Sequence, residues 1–217
     1  MVVAPRRSAL AGLGLASLLG LALYWRKNPS ACPYGARAFH TVPHPIVTRP
    51  RLHDILAPQA GERLLEIGPG TGYYSLDVAT ELRPGGTLEI FDVQSKMLDH
   101  TMRRASARNL SNLVPTLGDA RTLPYDDDRF DGAFLVTVLG EIPEQTAALE
   151  ELYRVVRHDG RVVVGEVFGD PHMVSYTALV DRAVRIGLQP DERIGGRLGY
   201  FARFRVNKSG KVHAVRA

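Results

Sequence analysis

With 217 residues, 45% of them hydrophobic and 23% charged, the chain has the composition of one globular domain with a short extension, which excludes a disordered or fibrous protein. The formal net charge of +4 comes from scattered arginines with no dense basic block interleaved with aromatics, so no nucleic-acid partner is expected. The single cysteine, Cys32, cannot close an internal disulfide and suits a reducing compartment.

The first compositional unit is residues 1–27. Within it the stretch SALAGLGLASLLGLALYW, residues 8–25, carries no charge over 18 residues, with Arg6 and Arg7 before it and Arg26 and Lys27 after it. As a helix it would reach about 27 Å, close to the lower limit for a hydrocarbon core of about 30 Å. Tyr24 and Trp25 stand where an interfacial aromatic belt would stand, and Gly12, Ala16 and Gly20 form a small-residue stripe. Three readings fit: an uncleaved membrane anchor, a cleaved signal peptide, and a hydrophobic helix packed on the domain or lying in the interface. The aromatics and cations that follow are poor flanks for a small-residue cleavage site, so the anchor fits better. Residues 28–49 are dense in proline, without helical periodicity, and are expected to form a linker or lid that becomes ordered near residue 46. His40 and His44 are then solvated linker residues or, if HTVPHPIVTR folds over the domain, part of a substrate pocket.

Residues 50–217 form the domain, in which strand and helix alternate. RLLEIG (63–68) is a continuous apolar run ended by glycines, as expected of a strand buried on both faces, and YYSLDVATEL (73–82) carries a helical stripe. A second strand at 87–92, a helix at 95–109 capped by Ser95, and strands at 112–119 and 130–137 follow. Next come a helix at 144–156, a strand at 161–167 after the turn HDG, and a helix at 173–187. Two β-rich pieces, 188–194 and 200–206, could pair antiparallel at one edge. The expected fold is α/β, Rossmann-like and doubly wound: a mostly parallel seven-stranded sheet with an antiparallel edge, preceded by an N-terminal hydrophobic helix. Ligands in such folds bind at the carboxyl ends of the strands.

The turn after the first strand, LLEIGPGTGYYS, narrows the choice of ligand. A dinucleotide fingerprint starting at Gly68 would need glycine at 73, where the chain has Tyr73; the pattern is instead Gly68, Gly70, Gly72, with Glu66 two residues before the first glycine. This disfavours a nicotinamide-dependent oxidoreductase. With LEIGPGTG followed by the strand-end acid of EIFD and then by GDARTLPYDDDRFDGAFLV, the sequence resembles the class I S-adenosylmethionine-dependent methyltransferases. Within them it resembles the branch that includes quinone-biosynthesis C-methyltransferases and many small-molecule methyltransferases. The resemblance covers about residues 50–205.

It implies S-adenosyl-L-methionine as cofactor and assigns roles residue by residue. Glu66 and the turn Gly68, Gly70, Gly72 would hold the methionine portion, the glycines because a Cβ would take the cofactor's place. Asp92 would accept the ribose hydroxyls, Val93 would lie against the adenine, and Asp119 and Ala120 would meet the adenine edge. Thr137 would sit near the reactive end. The run Asp126 to Asp128 fits a solvated turn, and no metal is expected. Many relatives carry two histidines where this chain has Gly140 and Glu141. Glu141 is then a candidate base or a helix N-terminal carboxylate, with His172 and His44 as further catalytic candidates. The expected acceptor is small and apolar or membrane-associated, reached by an enzyme anchored through residues 8–25 with its domain in the cytoplasm, where the cofactor is made. The alternative is an anchored cofactor-binding scaffold that has lost transfer.

Overall fold

The structure is a computed structural model that describes residues 29–35 and 45–208. The uncharged segment 8–25, His40 and His44 lie outside the described residues, and among the described residues no helix is long and apolar enough to cross a membrane.

The domain opens with α1 (Arg49–Leu56), which the proline-dense sequence did not announce. Thr48 caps it by accepting the Arg51 N–H, and a proline occupies its first turn, where a missing N–H costs nothing. Its last carbonyls are capped from the sheet: the Arg161 guanidinium donates to the Leu56 and Ala57 carbonyls while pairing with Glu62, and Arg203 donates to the Ile55 carbonyl.

The strands and helices then alternate as β1 (Arg63–Ile67), α2 (Ser75–Glu81), β2 (Thr87–Asp92), α3 (Ser95–Ala107), β3 (Leu113–Leu117) and β4 (Phe130–Val136). A short 3-10 turn (Leu139–Glu141), α4 (Gln145–Val155), β5 (Val156–Val167), α5 (Tyr176–Ile186), β6 (Leu188–Gly196) and β7 (Gly199–Val206) complete the order. The seven strands make one sheet in the order β3-β2-β1-β4-β5-β7-β6. The first five run parallel, and β7 pairs antiparallel with both β5 and β6.

Period-two alternation distributes the strand side chains between two cores. Leu64, Leu88, Ile90, Phe134 and Val163 pack with α1, α2 and α3 on one face. Leu65, Phe91, Ala133, Leu135, Val162 and Val164 pack with α4 and α5 on the other. With both faces covered, the inner strands β1, β2 and β4 need no polar side, which is why they are legible as mainly apolar runs, whereas the edge strands β3 and β6 are largely exposed.

Several boundaries differ from expectation, among them the start of α5, which is Tyr176 and not residue 173. Ser95 is the first residue of α3, and Gln94 is its N-cap without a side-chain capping bond. The helix expected from Tyr73 begins at Ser75, because Tyr73 and Tyr74 still belong to the glycine turn. Strand β5 starts at Val156, directly after α4, and carries HDG inside it across a register shift opposite Phe130 and Gly132.

Candidate active site

The strand order reverses at β1, whose neighbours are β2 and β4, and the carboxyl ends of β1 to β4 open there into a cavity of about 260 Å³. Its floor is the turn after β1. Gly68, Gly70 and Gly72 have φ of 67°, 55° and 76°, a left-handed conformation that glycine adopts without strain. The turn is tied down by Gly68 N–H donating to the Phe91 carbonyl at 2.8 Å, by Thr101 Oγ1 donating to the Gly70 carbonyl at 3.1 Å, and by Arg104 donating to the Thr71 carbonyl. A Cβ on Gly68 would run into the Val138 side chain, and one on Gly72 would come within 2.9 Å of Thr101 Cγ2. At these two positions glycine is demanded by the protein's own packing, a reason the motif alone does not disclose.

Glu66 lies one strand residue below this turn. It is 2% exposed, and its Oε2 has no hydrogen-bond partner among the described residues. Burial pushes its carboxyl up to about 8, the Ser75 hydroxyl offsets part of that rise, and the charge of Asp92 adds to it. Asp92, at the end of β2, is also buried, which raises it to about 6, and it accepts the Gln94 N–H at 2.8 Å. Val93 follows on the cavity wall and is 53% exposed, an apolar surface facing open space. Thr137, at the end of β4, adopts φ 56°, an outlying conformation for a β-branched residue, held by its N–H to the Gly165 carbonyl at 2.8 Å.

Asp119 and Ala120 line the same cavity, but the Asp119 carboxylate is already engaged. Arg121 grips both its oxygens, at 2.6 Å for the Nη2 to Oδ2 pair, and holds it below the usual carboxylate range. Arg121 also reaches Glu144 Oε1 at 2.7 Å. Sequence reasoning passed over Arg121, because an arginine two residues from an acid is commonplace until the cavity shows where it points. Asp127 and Asp128 face Arg154 and Lys208, and among the described residues no three His, Cys, Asp or Glu side chains are grouped to hold a metal.

The catalytic candidates separate. Glu141 enters the cavity wall from the 3-10 turn, and burial raises its carboxyl to about 7. Its Oε2 accepts the Cys32 N–H at 3.1 Å, so its visible partner is a backbone amide. His172 is buried but lines a different cavity, on the other side of Gly140. A Cβ on Gly140 would strike the His172 carbonyl, which fixes glycine where the β5–α5 loop crosses the turn. Of the HTVPHPIVTR segment considered as a lid, residues 40–44 lie outside the described residues. Pro29, Ser30, Ala31 and Cys32 form part of the cavity wall.

A structure of an S-adenosylmethionine-dependent methyltransferase from Aquifex aeolicus superimposes with a TM-score of 0.74 at 16% identity, over 81% of this chain and all of that one. The fold is that of the methyltransferases. The [4+2]-cyclase SpnF shares it, with a TM-score of 0.66 at 19% identity over 73% of this chain and 79% of its own. The fold therefore does not fix the reaction. Residues 64–160 match the family model described as a methyltransferase domain. The demethylmenaquinone methyltransferase of Oceanobacillus iheyensis is 31% identical over 118 residues, 54% of this chain and 49% of that protein. The ubiquinone/menaquinone biosynthesis C-methyltransferase UbiE of Ruegeria sp. is 32% identical over 114 residues, 52% and 45% of the two chains. The match thus spans about half the length of these relatives. Methyltransferase fold and domain together imply S-adenosyl-L-methionine as the cofactor.

The buried carboxyls give the ligand-free protein an unusual pH dependence. The folded state keeps the Glu66 proton up to about pH 8, whereas an unfolded glutamate releases it near 4.5. Its contribution to stability is therefore full below about 4.5 and declines as pH rises through 8. Glu66→Gln is expected to match the wild type in thermal unfolding near pH 4.5 and to unfold at a higher temperature than the wild type at pH 8. Equal unfolding temperatures at pH 8 would remove Glu66 as a source of the decline.

Proposed function

We propose that the chain is an S-adenosylmethionine-dependent methyltransferase acting on a small, apolar acceptor. The observation that carries this reading is the buried Glu66 carboxyl, which has the Ser75 hydroxyl nearby but no ion-pair partner among the described residues, beneath a left-handed glycine turn, with Asp92 on the adjoining strand. A buried carboxylate without a counter-charge is costly, and an ammonium group is the complement that removes the cost. Glu66 would take the cofactor's ammonium, Asp92 its ribose hydroxyls and Val93 its adenine face. Ala120 would meet the adenine edge, and Asp119 would use whatever accepting capacity Arg121 leaves it. Thr137 would border the reactive end. The bound cofactor supplies a methyl group already activated on a sulfonium. The chain then has to align the acceptor and exclude water, and a general base is optional.

The acceptor side of the cavity supports an apolar substrate. Its walls are Val136, Val138, Ile142 and Pro143, faced by Pro29 and Ala31 from the N-terminal segment. Relatives named for demethylmenaquinone and ubiquinone/menaquinone also point to apolar acceptors. We carry over only that apolar character, because Gly140 and Glu141 depart from the histidines that many such enzymes carry. The uncharged stretch 8–25 extends the proposal to an anchored enzyme whose domain faces the cytoplasm and meets membrane-dissolved acceptors.

Calorimetric titration of the full chain is expected to show binding of S-adenosylmethionine and S-adenosylhomocysteine and none of NAD. Asp92→Ala should weaken the sulfur cofactors by about 1.5–3 kcal/mol, or about 10- to 150-fold, the loss of a charge-assisted hydrogen bond. A folded chain that binds neither sulfur cofactor would end the methyltransferase reading, and unchanged affinity in Asp92→Ala would remove that residue from the site. Anchoring has a separate test: the full chain should remain in membranes through alkaline carbonate washing, and its release would refute the anchor.

A further inference from the structure

Cys32 is bonded through its backbone to opposite walls of the cavity. Its N–H donates to Glu141 Oε2 at 3.1 Å on the β4 side, and its carbonyl accepts from Gln94 Nε2 at 2.9 Å on the β2 side. The other end of the same amide, Gln94 Oε1, accepts the Tyr34 N–H at 3.1 Å. The Gln94 side chain thus pairs with the segment as a neighbouring strand would, one donor and one acceptor against alternate residues. Tyr34 sets its ring edge-on to His100 of α3, with centroids 6.2 Å apart.

We propose that Gln94 and Glu141 are positioning residues that clip residues 29–35 across the cavity as its outer wall, so that the cofactor exchanges only when the clip opens. The consequence for exchange rests on the methyltransferase reading; the clip itself does not. Three backbone hydrogen bonds, each worth roughly 2- to 10-fold in equilibrium, hold the strap firmly enough to shape the site and loosely enough to release it. Gln94 also links the strap to the ligand side, because its own N–H is held by Asp92 at 2.8 Å. Ribose hydroxyls on Asp92 would therefore act on the residue whose side chain holds the strap.

Cys32 is the only cysteine in the chain and reports on the strap without any added label. In the full-length protein, Gln94→Ala should react with a maleimide at Cys32 about 4- to 100-fold faster than the wild type, the loss of two hydrogen bonds, and should release S-adenosylhomocysteine faster by a similar factor. Hydrogen–deuterium exchange of residues 29–35 should rise in the same variant. For Glu141 the informative comparison is Glu141→Ala against Glu141→Gln. Both remove the charge near the thiol, but only glutamine keeps an oxygen that accepts the Cys32 N–H. Alanine should free the strap, and glutamine should restore slow labelling and slow release. Wild-type labelling and exchange rates in both alanine variants would overturn the clip. Faster labelling with an unchanged rate of S-adenosylhomocysteine release would overturn its control of exchange. If the wild type binds no S-adenosylhomocysteine, the methyltransferase reading fails, and labelling and hydrogen exchange alone decide the clip.

Discussion

A carboxyl group buried near the end of β1, with no ion-pair partner among the described residues, is the constraint on which the site depends. Burying such a group is unfavourable in its charged form, so burial raises the Glu66 carboxyl to about 8. Parallel strands deliver this arrangement. Their carboxyl ends meet at one edge of the sheet, and the strand-order reversal at β1 leaves a cavity where the loops part to either side. The glycine turn closes the floor of that cavity and Asp92 stands in its wall on the next strand, while Glu66 lies buried beneath the turn and outside the lining.

Left-handed backbone also shapes this edge. Thr137 is held left-handed at the tip of β4, and the three glycines of the turn adopt positive φ without penalty. Gly68 and Gly140 each yield space to a neighbouring segment, Val138 in one case and the His172 backbone in the other. The loops after β1, β4 and β5 thereby stack against one another. Pocket shape on the acceptor side depends on this stacking, and Glu141 owes its position to it.

The inner strands β1, β2 and β4 were legible in the sequence because helices cover both faces of the sheet there, which leaves them mainly apolar; the edge strands β3 and β6 are largely exposed. Helix α1 was hidden by its prolines, although Thr48 before a first-turn proline is itself a start signal. Ser95 looked like a cap, yet the chain uses Gln94 there, with its backbone bonded to Asp92 and its side chain to the strap. Glu66, the glycines, Asp92 and Val93 were singled out by the resemblance, and the structure places Gly68, Gly70, Asp92 and Val93 on one cavity with Glu66 buried beneath the turn. Arg121 and Gln94 were not singled out, because their importance lies in what they touch: Glu144 is 23 residues from Arg121, and Cys32 is 62 residues from Gln94. Glu141 was visible as a carboxylate in the right place, but its amide partner 109 residues away is a contact no periodicity encodes.

The most direct test of the central claim is the number of protons exchanged when S-adenosylhomocysteine binds at pH 7, measured by calorimetry in buffers of different ionisation enthalpy. If the ligand's ammonium pairs with Glu66, whose carboxyl is raised to about 8 in the empty protein, binding should release about one proton in the wild type and markedly less in Glu66→Gln. Binding with no proton release, or with the same release in both proteins, would contradict the account.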